Sequence, residues 1–354
     1  MKHSTIVTFF EEVTSPISQI IMLLITFSLV VLIAYPPYEK FNSFEKKPEI
    51  FGINASVLQE WGAEPAEVMM GLHIQDFPEF DVINDKFTFS GFVWFKFDPA
   101  QVSYDAVDKF VFAKGKIVQK SNPDTWLEGN NLFVKYLVRV EFKTDLNYQS
   151  FPLDDHSIYI SVVNKFVMPE EVIFRSSIQN FTISPAIYLS GWELVNSEVN
   201  YGYSKALLKS GESAHLERYP TVIFSFDIKR FGIQGIMLIF LPLFIVCFIA
   251  LFALSFDPEK QGSIILGLSS TGIASLVAYR FVIQSISPHV GYFMLSDQIF
   301  ILFLAFLFAI FMFSMILVRY KKLTNTLAVI RGIVFLLFHV AFLAWWYYLL
   351  YWWV

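Results

Sequence analysis

Residues Gly262–Pro288 read GSIILGLSSTGIASLVAYRFVIQSISP. The stretch is long enough to cross a bilayer, which takes about 20 residues of helix. Ser263, Gly267, Thr271, Ala274, Ala278, Phe281 and Ser285 follow one another at steps of three or four, so they share one helical face. The other faces carry Ile264, Ile265, Leu268, Ile273, Leu276, Val277, Val282 and Ile283. A membrane helix that is apolar on most sides and small or polar along one stripe has two explanations. The stripe packs against a neighbouring helix, because small side chains allow close approach. Alternatively, it lines a watery path, which requires several copies around an axis.

The rest of the chain bears on that choice. Of 354 residues, 55% are hydrophobic and only 16% charged. That balance is too apolar for one soluble domain and too polar for a pure membrane bundle. The net charge of −5 gives no nucleic-acid signal. A single cysteine, Cys247, excludes an intrachain disulfide and a cysteine-based metal cluster. His3, His73, His156, His215, His289 and His339 are scattered, none at metal spacing with another ligand. There is no phosphate loop, nucleophile elbow or pair of zinc ligands, so no enzyme, cofactor or metal site is expected.

Residues 17–36 form a first apolar run of spanning length. Glu11 and Glu12 precede it, and the small-residue cleavage pattern of a signal peptide is poor around Ala34. A retained helix is the better reading, with an unusual signal as the alternative. From 41 to 230, aromatic and β-branched residues alternate with polar ones, as at Val68–Asp76, Lys86–Phe97, Leu132–Lys143, Ser157–Val163, Trp192–Val199 and Thr221–Lys229. Such strands predict an antiparallel sandwich. Asn54–Trp61 reads as a short helix, and Asp81–Asp85 as a turn. Four further spans are expected at 231–254 (interrupted by Pro242), 262–288, 292–318 and 332–354. Lys260 lies in one short connector, and Arg319, Lys321, Lys322 and Arg331 lie in or beside another; the connector at 287–291 has no Lys or Arg. The positive-inside rule then places 257–261 and 319–331 in the cytoplasm and the sandwich outside. Trp345, Trp346, Tyr347, Tyr348, Tyr351, Trp352 and Trp353 form an aromatic belt at the end of the last span.

This layout resembles the pentameric ligand-gated ion channels of the Cys-loop superfamily. Phe151-Pro152-Leu153-Asp154 resembles that family's Phe-Pro-x-Asp loop. The bracketing cysteines would fall at Thr144 and Ile158, so the disulfide is missing, as in bacterial members. Arg230 and Pro242 match the arginine before the first pore-domain helix and the proline within it. Val277-Ala-Tyr-Arg-Phe281, Pro288-His-Val-Gly-Tyr292 and Ser296-Asp-Gln298 resemble the end of the second helix and the turn into the third. Leu72-His-Ile-Gln75 through Trp94-Phe-Lys-Phe97 resembles the first two ectodomain strands. The likeness covers roughly residues 50–354. It leaves the first 40 residues without a counterpart, and it finds no glutamate directly at the start of the second helix.

The resemblance implies a β-sandwich ectodomain (41–230) and a four-helix transmembrane pore domain (231–354), to which the apolar run at 17–36 adds an extra N-terminal transmembrane helix (in 1–40). It implies a homopentamer in a cell or inner membrane, whose partners are a small-molecule or ionic ligand, permeant ions and the bilayer. Ser263, Gly267, Thr271, Ala274, Ala278, Phe281 and Ser285 would line the pore. Phe281 is the hydrophobic constriction, or else packs between helices. Asp257 and Glu259 would ring the inner mouth and favour cations, although Lys260 opposes them; the bland reading is a capping cluster. Asp154 and Arg230 would meet at the junction and, with Pro152, couple ectodomain to pore, with a merely structural ion pair as the alternative. Phe166, Tyr201, Tyr203 and Tyr219 would form an aromatic cage for a cationic ligand, with ordinary packing as the alternative. Arg280 is expected to snorkel or to pair with the ectodomain. A different class remains: a non-conducting membrane sensor or scaffold that keeps the fold.

Overall fold

A computed structural model describes residues 2–62, 64–210, 213–320 and 324–353. Lys321 and Lys322 of the basic connector, and Val354 at the end of the last span, lie outside the described residues. The chain forms two compact units. One holds residues 43–147 and 155–231; the other holds 1–42, 148–154 and 232–354.

The first unit is built of sheets. Its strands are β1 (Ala66–Asp81), β2 (Lys86–Phe97), β3 (Phe110–Phe112), β4 (Gly115–Lys120), β5 (Asp124–Glu128), β6 (Asn131–Phe142), β7 (His156–Asn164), β8 (Val172–Arg175), β9 (Phe181–Ile183), β10 (Trp192–Ser210) and β11 (Ser213–Arg230). One seven-stranded sheet runs β4-β6-β2-β1-β8, with β5 on β6 and β9 on β1; a second runs β10-β11-β7-β3. Pairing is antiparallel except where β8 and β9 join β1. Alternation builds the core. Phe87, Phe89, Val93, Phe95 and Phe97 point one way along β2, and Val222, Phe224, Phe226 and Ile228 do so along β11. Rings from the two sheets meet: Phe89 with Phe112 at 5.6 Å, Phe95 with Phe110 at 5.1 Å and Phe181 with Phe224 at 5.2 Å. β1 runs on past the Asp76 at which its strand pattern ends. Phe77 and Pro78 sit within a strand whose register shifts twice, so the extra residues are absorbed as bulges. The expected short helix is present at Ala55–Trp61, where the Asn54 side chain accepts from the Val57 amide at 3.0 Å.

The second unit is helical. It contains α1 (Lys2–Val13) and α2 (Pro16–Glu39); after the two short helices of the sheet unit, α3 (Ala55–Trp61) and α4 (Tyr104–Asp108), come α5 (Gln234–Phe252), α6 (Gly262–Ile286), α7 (Leu295–Arg319) and α8 (Thr324–Tyr348). Among the described residues, five helical segments are long and apolar enough to cross a membrane: Pro16–Glu39, Gln234–Ser255, Gly262–Ile286, Leu295–Arg319 and Thr326–Trp352. α5 runs through Pro242 without a break. Phe244 of α5 sits at the centre of an aromatic cluster, 5.2 Å from Phe303 of α7 and 5.5 Å from Trp346 of α8.

The strands β10 and β11 extend beyond the predicted Trp192–Val199 and Thr221–Lys229, and a helix boundary in the second unit departs further. The connector expected at 319–331 is helical from Thr324 onward, eight residues before the predicted start of the last span. The apolar run alone marks where lipid begins, whereas the helix continues beyond it. Arg331 is held inside this helix by donating to the Phe256 carbonyl at 3.0 Å.

Candidate functional site

α6 is anchored by one face. Ile265, Ser269, Gly272, Leu276 and Ile283 are buried against α5 and α7. Gly272 packs closely on this face: a Cβ there would lie 3.2 Å from Ala250 Cβ and 3.4 Å from Leu307 Cδ2. Ser263, Gly267, Thr271, Ala274, Ala278, Phe281 and Ser285 are all exposed. At 100° per residue, the mean direction of this stripe is about 170° from that of the buried face. Gly267, unlike Gly272, has open space where a Cβ would stand. The small residues that serve close packing in this chain are therefore not those of the stripe. Phe281 is 73% exposed and is not packed between helices of its own chain. Ser285 donates to the Val282 carbonyl at 2.8 Å, which leaves its oxygen lone pairs outward.

The C-terminal end of α6 is tied to α7. Arg280 points away from the stripe and lies 2.5 Å from Asp297 and 5.3 Å from the Phe300 ring, so its partner lies in the helical unit. Asp297 also accepts from the Met294 amide at 3.0 Å, in the first turn of α7 where a carboxylate suits the helix dipole. The Ser296-Asp-Gln298 motif thus acts as both cap and clamp, a role that needed the tertiary partner to be seen.

At the other end, neither acid caps α6 with its side chain. Gln261 is the N-cap and makes no side-chain capping bond. Asp257 accepts from the Glu259 amide at 2.9 Å and lies 3.9 Å from Lys260, while Glu259 is exposed. The turn holds Asp257 and leaves Glu259 unconstrained.

The loop Tyr148–Asp154 groups with the helices, although sheet residues flank it. Its carbonyls meet the start of α7. Leu295 N donates to Gln149 O at 2.8 Å and Ser296 N to Phe151 O at 3.0 Å, which satisfies amides that a helix N-terminus leaves open. The Tyr292 hydroxyl accepts from the Tyr148 amide at 2.9 Å. Phe151, Pro152 (after a cis peptide bond), Leu153 and Asp154 are buried. Within the sheet unit, Asp155 accepts from the Arg230 amide at 3.0 Å, and the Arg230 guanidinium covers Trp192 at 4.5 Å.

Sequence reasoning missed a clasp at the base of this loop. Glu45, buried, lies 2.6 Å from His156 Nδ1 and accepts from the Asn147 and Ser157 amides at 3.1 and 3.2 Å. It therefore grips the chain just before and just after the loop. Burial alone would raise the Glu45 pKa; the bond and charge of His156, with donors from Ser43 and Asn147, outweigh that and hold it below the ordinary value. A lone Glu in a segment without regular structure gave no periodic signal.

The aromatic candidates are dispersed. Tyr201 and Tyr203 share one face of β10, while Tyr219 pairs with Ser204 and takes the other. Tyr219 donates to Glu217. Phe166 stands exposed after β7, with Lys109 Nζ 5.3 Å from its ring centre. Tyr203 is buried in a box that the sequence did not suggest, 5.5 Å from Phe51 and 5.6 Å from Trp61. The chain's own Lys205 caps that box, 3.8 Å from the centre of Phe51. Gly202 permits it, because a Cβ there would strike the Phe51 carbonyl oxygen at 2.1 Å.

No model of a known protein family matches the chain, and no curated protein is similar to it at a significant level. The likeness to the channel superfamily thus rests on the sequence motifs alone. Among the described residues, no cluster of three or more His, Cys, Asp or Glu is placed to hold a metal ion.

Proposed function

We propose that the chain is one subunit of a homopentameric ligand-gated ion channel of the Cys-loop superfamily. The two sheets form its sandwich ectodomain, outside a cell membrane, and α5–α8 form its pore domain. α2 is an additional transmembrane helix. Five copies of α6 surround the axis, and Ser263, Gly267, Thr271, Ala274, Ala278, Phe281 and Ser285 face the ions. The observation that carries the reading is the outward display of this stripe. A spanning helix that exposed hydroxyls and small residues to lipid would forfeit favourable contact, whereas a ring of such helices turns them to water.

Phe281 is the hydrophobic gate, closing by dewetting. Asp257 and Glu259, repeated in each subunit, outweigh the Lys260 of the same connector and favour cations at the cytoplasmic mouth. Ligand binds between ectodomains near the β10–β11 hairpin. Its effect reaches the pore through Asp154, Pro152 and Arg230 and through the loop carbonyls that seat α7. Coupling of this kind requires a two-state element that both sites bias.

Planar-bilayer recording of the purified protein, with Phe281→Ala beside the wild type, tests the proposal. Stepwise currents that rise in the variant support a gate at that ring, and their reversal in a KCl gradient gives the sign of the ion. Silence from both proteins, with a ring-shaped oligomer visible by microscopy, would replace the channel by a non-conducting sensor of the same fold.

A further inference from the structure

A second feature of the helical unit concerns the bilayer itself. The C-terminal half of α2 and the first half of α5 enclose a cavity of about 130 Å³. Its inner wall is Val30, Phe240, Phe244 and Trp346, all buried. Its rim is Val31, Tyr35, Met237 and Leu241, on helices of spanning length, with Ile233 just before α5, all exposed. No polar atom faces the space. The Trp346 indole N–H of the inner wall is already spent, donating to the Val30 carbonyl at 3.3 Å.

We infer that this cavity is a binding site for one acyl chain of a membrane lipid. Three observations select that occupant. A carbon-lined space stays dry: a cavity of about 150 Å³ with Leu, Ile and Phe walls excludes water and takes benzene, so a six-carbon stretch of chain fits here. The rim opens sideways between two lipid-exposed helices, where hydrocarbon is the surrounding medium. Tyr35 and Tyr38 stand at one end, and aromatic residues with a hydroxyl favour the headgroup level, which places the carbons nearest the glycerol beside the opening. Leu153 also lines the space, so the occupant touches the loop whose carbonyls seat α7. The inference does not depend on conduction.

The test uses the full chain in liposomes containing a phospholipid with a photoactivatable diazirine near the middle of one acyl chain. Peptide mass spectrometry then locates the adducts. Adducts are expected to concentrate at 30–38 and 233–244, well above those at exposed positions remote from the cavity such as Ile17, Leu24 and Ile301. Ala34→Phe, which fills the space, should lower cavity labelling several-fold while the melting temperature holds. Val31→Phe serves the same purpose at the rim if the first variant does not fold. Cavity labelling no greater than at the remote positions, or unchanged in a folded filled variant, overturns the site. Labelling by a free short-alkane diazirine but not by the lipid probe would also overturn it, because the occupant would then be a small molecule and not an acyl chain.

Discussion

α2 and α6 are both long, apolar helices, yet they turn opposite chemistries outward. α2 exposes Ile17, Ile20, Ile21, Leu24 and Leu32 and buries Gln19 and Thr26. α6 buries Ile265, Leu276 and Ile283 and exposes Ser263, Thr271 and Ser285. α2 obeys the rule for lipid: apolar atoms meet hydrocarbon, and Gln19 and Thr26 turn inside, where Thr26 meets His339. α6 inverts that rule along one stripe. The exposed face of α2 is finished as it stands, whereas the exposed face of α6 is complete only with neighbours and water. Composition would rank the two as more and less hydrophobic versions of one thing; their phase relative to the packed face shows two different jobs.

A charge placed on each face separates them most strongly. Leu24→Lys puts an ammonium where lipid is expected, at a cost of about 2.5–3.5 kcal/mol at mid-membrane. Membrane-inserted protein should fall sharply, as read by carbonate extraction. Thr271→Lys should insert and assemble like the wild type, because its face meets water, but should abolish cation current. Equal loss of insertion from both variants would break the comparison and return the stripe to lipid or to helix packing.

Glycine sharpens the contrast at the next level. Gly272→Leu must displace Ala250 and Leu307, and overpacking of that kind costs about 1–3 kcal/mol. Gly267→Leu meets open space and should leave the melting temperature unchanged while narrowing the conducting path. Thermal unfolding in detergent distinguishes the two, and a matched loss of stability would place Gly267 in a packed seam.

How far the sequence foretold this division depended on the range of the interaction. The helical period set the phase of Ser263–Ser285, and strand alternation marked β2, β6, β7 and β11, because both patterns lie within a few residues. Short β3, β8 and β9 are too brief to show a period; their pairing partners define them. Arg280 could be aimed away from the stripe by counting residues, but its clamp on Asp297 needed the α6–α7 turn to close. The start of α8 was misplaced because hydropathy reports the lipid boundary, not the helix boundary. Lys205 over Phe51 joins residues far apart in the chain and carried no local signal.

The hidden polar groups carry the comparison into the sheet unit. Glu45→Gln replaces a buried, charged acceptor at the loop base and should cost about 1–3 kcal/mol at neutral pH. The folded Glu45 pKa is lowered, so its contribution is complete above the ordinary value of 4.5 and is lost as pH falls through the folded value. Wild type and variant should therefore differ at pH 7, and the gap should narrow as pH falls below 4.5 toward the lowered folded value. A gap that does not narrow over that fall would mean that packing, not charge, holds the clasp.

The smallest effect tests whether α2 truly belongs to the bundle. Thr26 Oγ1 lies 2.8 Å from His339 Nδ1, both side chains buried among apolar neighbours. Interhelical hydrogen bonds in membranes average only about 0.6 kcal/mol, because alternative partners exist in the unfolded state. Thr26→Val keeps the shape and removes the bond, and His339→Phe removes it from the other side. Each should lower stability by about that amount, and the double variant should lose less than the sum, which is the signature of direct coupling. Strict additivity would mean that the two residues act independently, and the polar hold of α2 on α8 and the residues that follow it would then rest on Trp346 with Val30 and Tyr351 with Ile33.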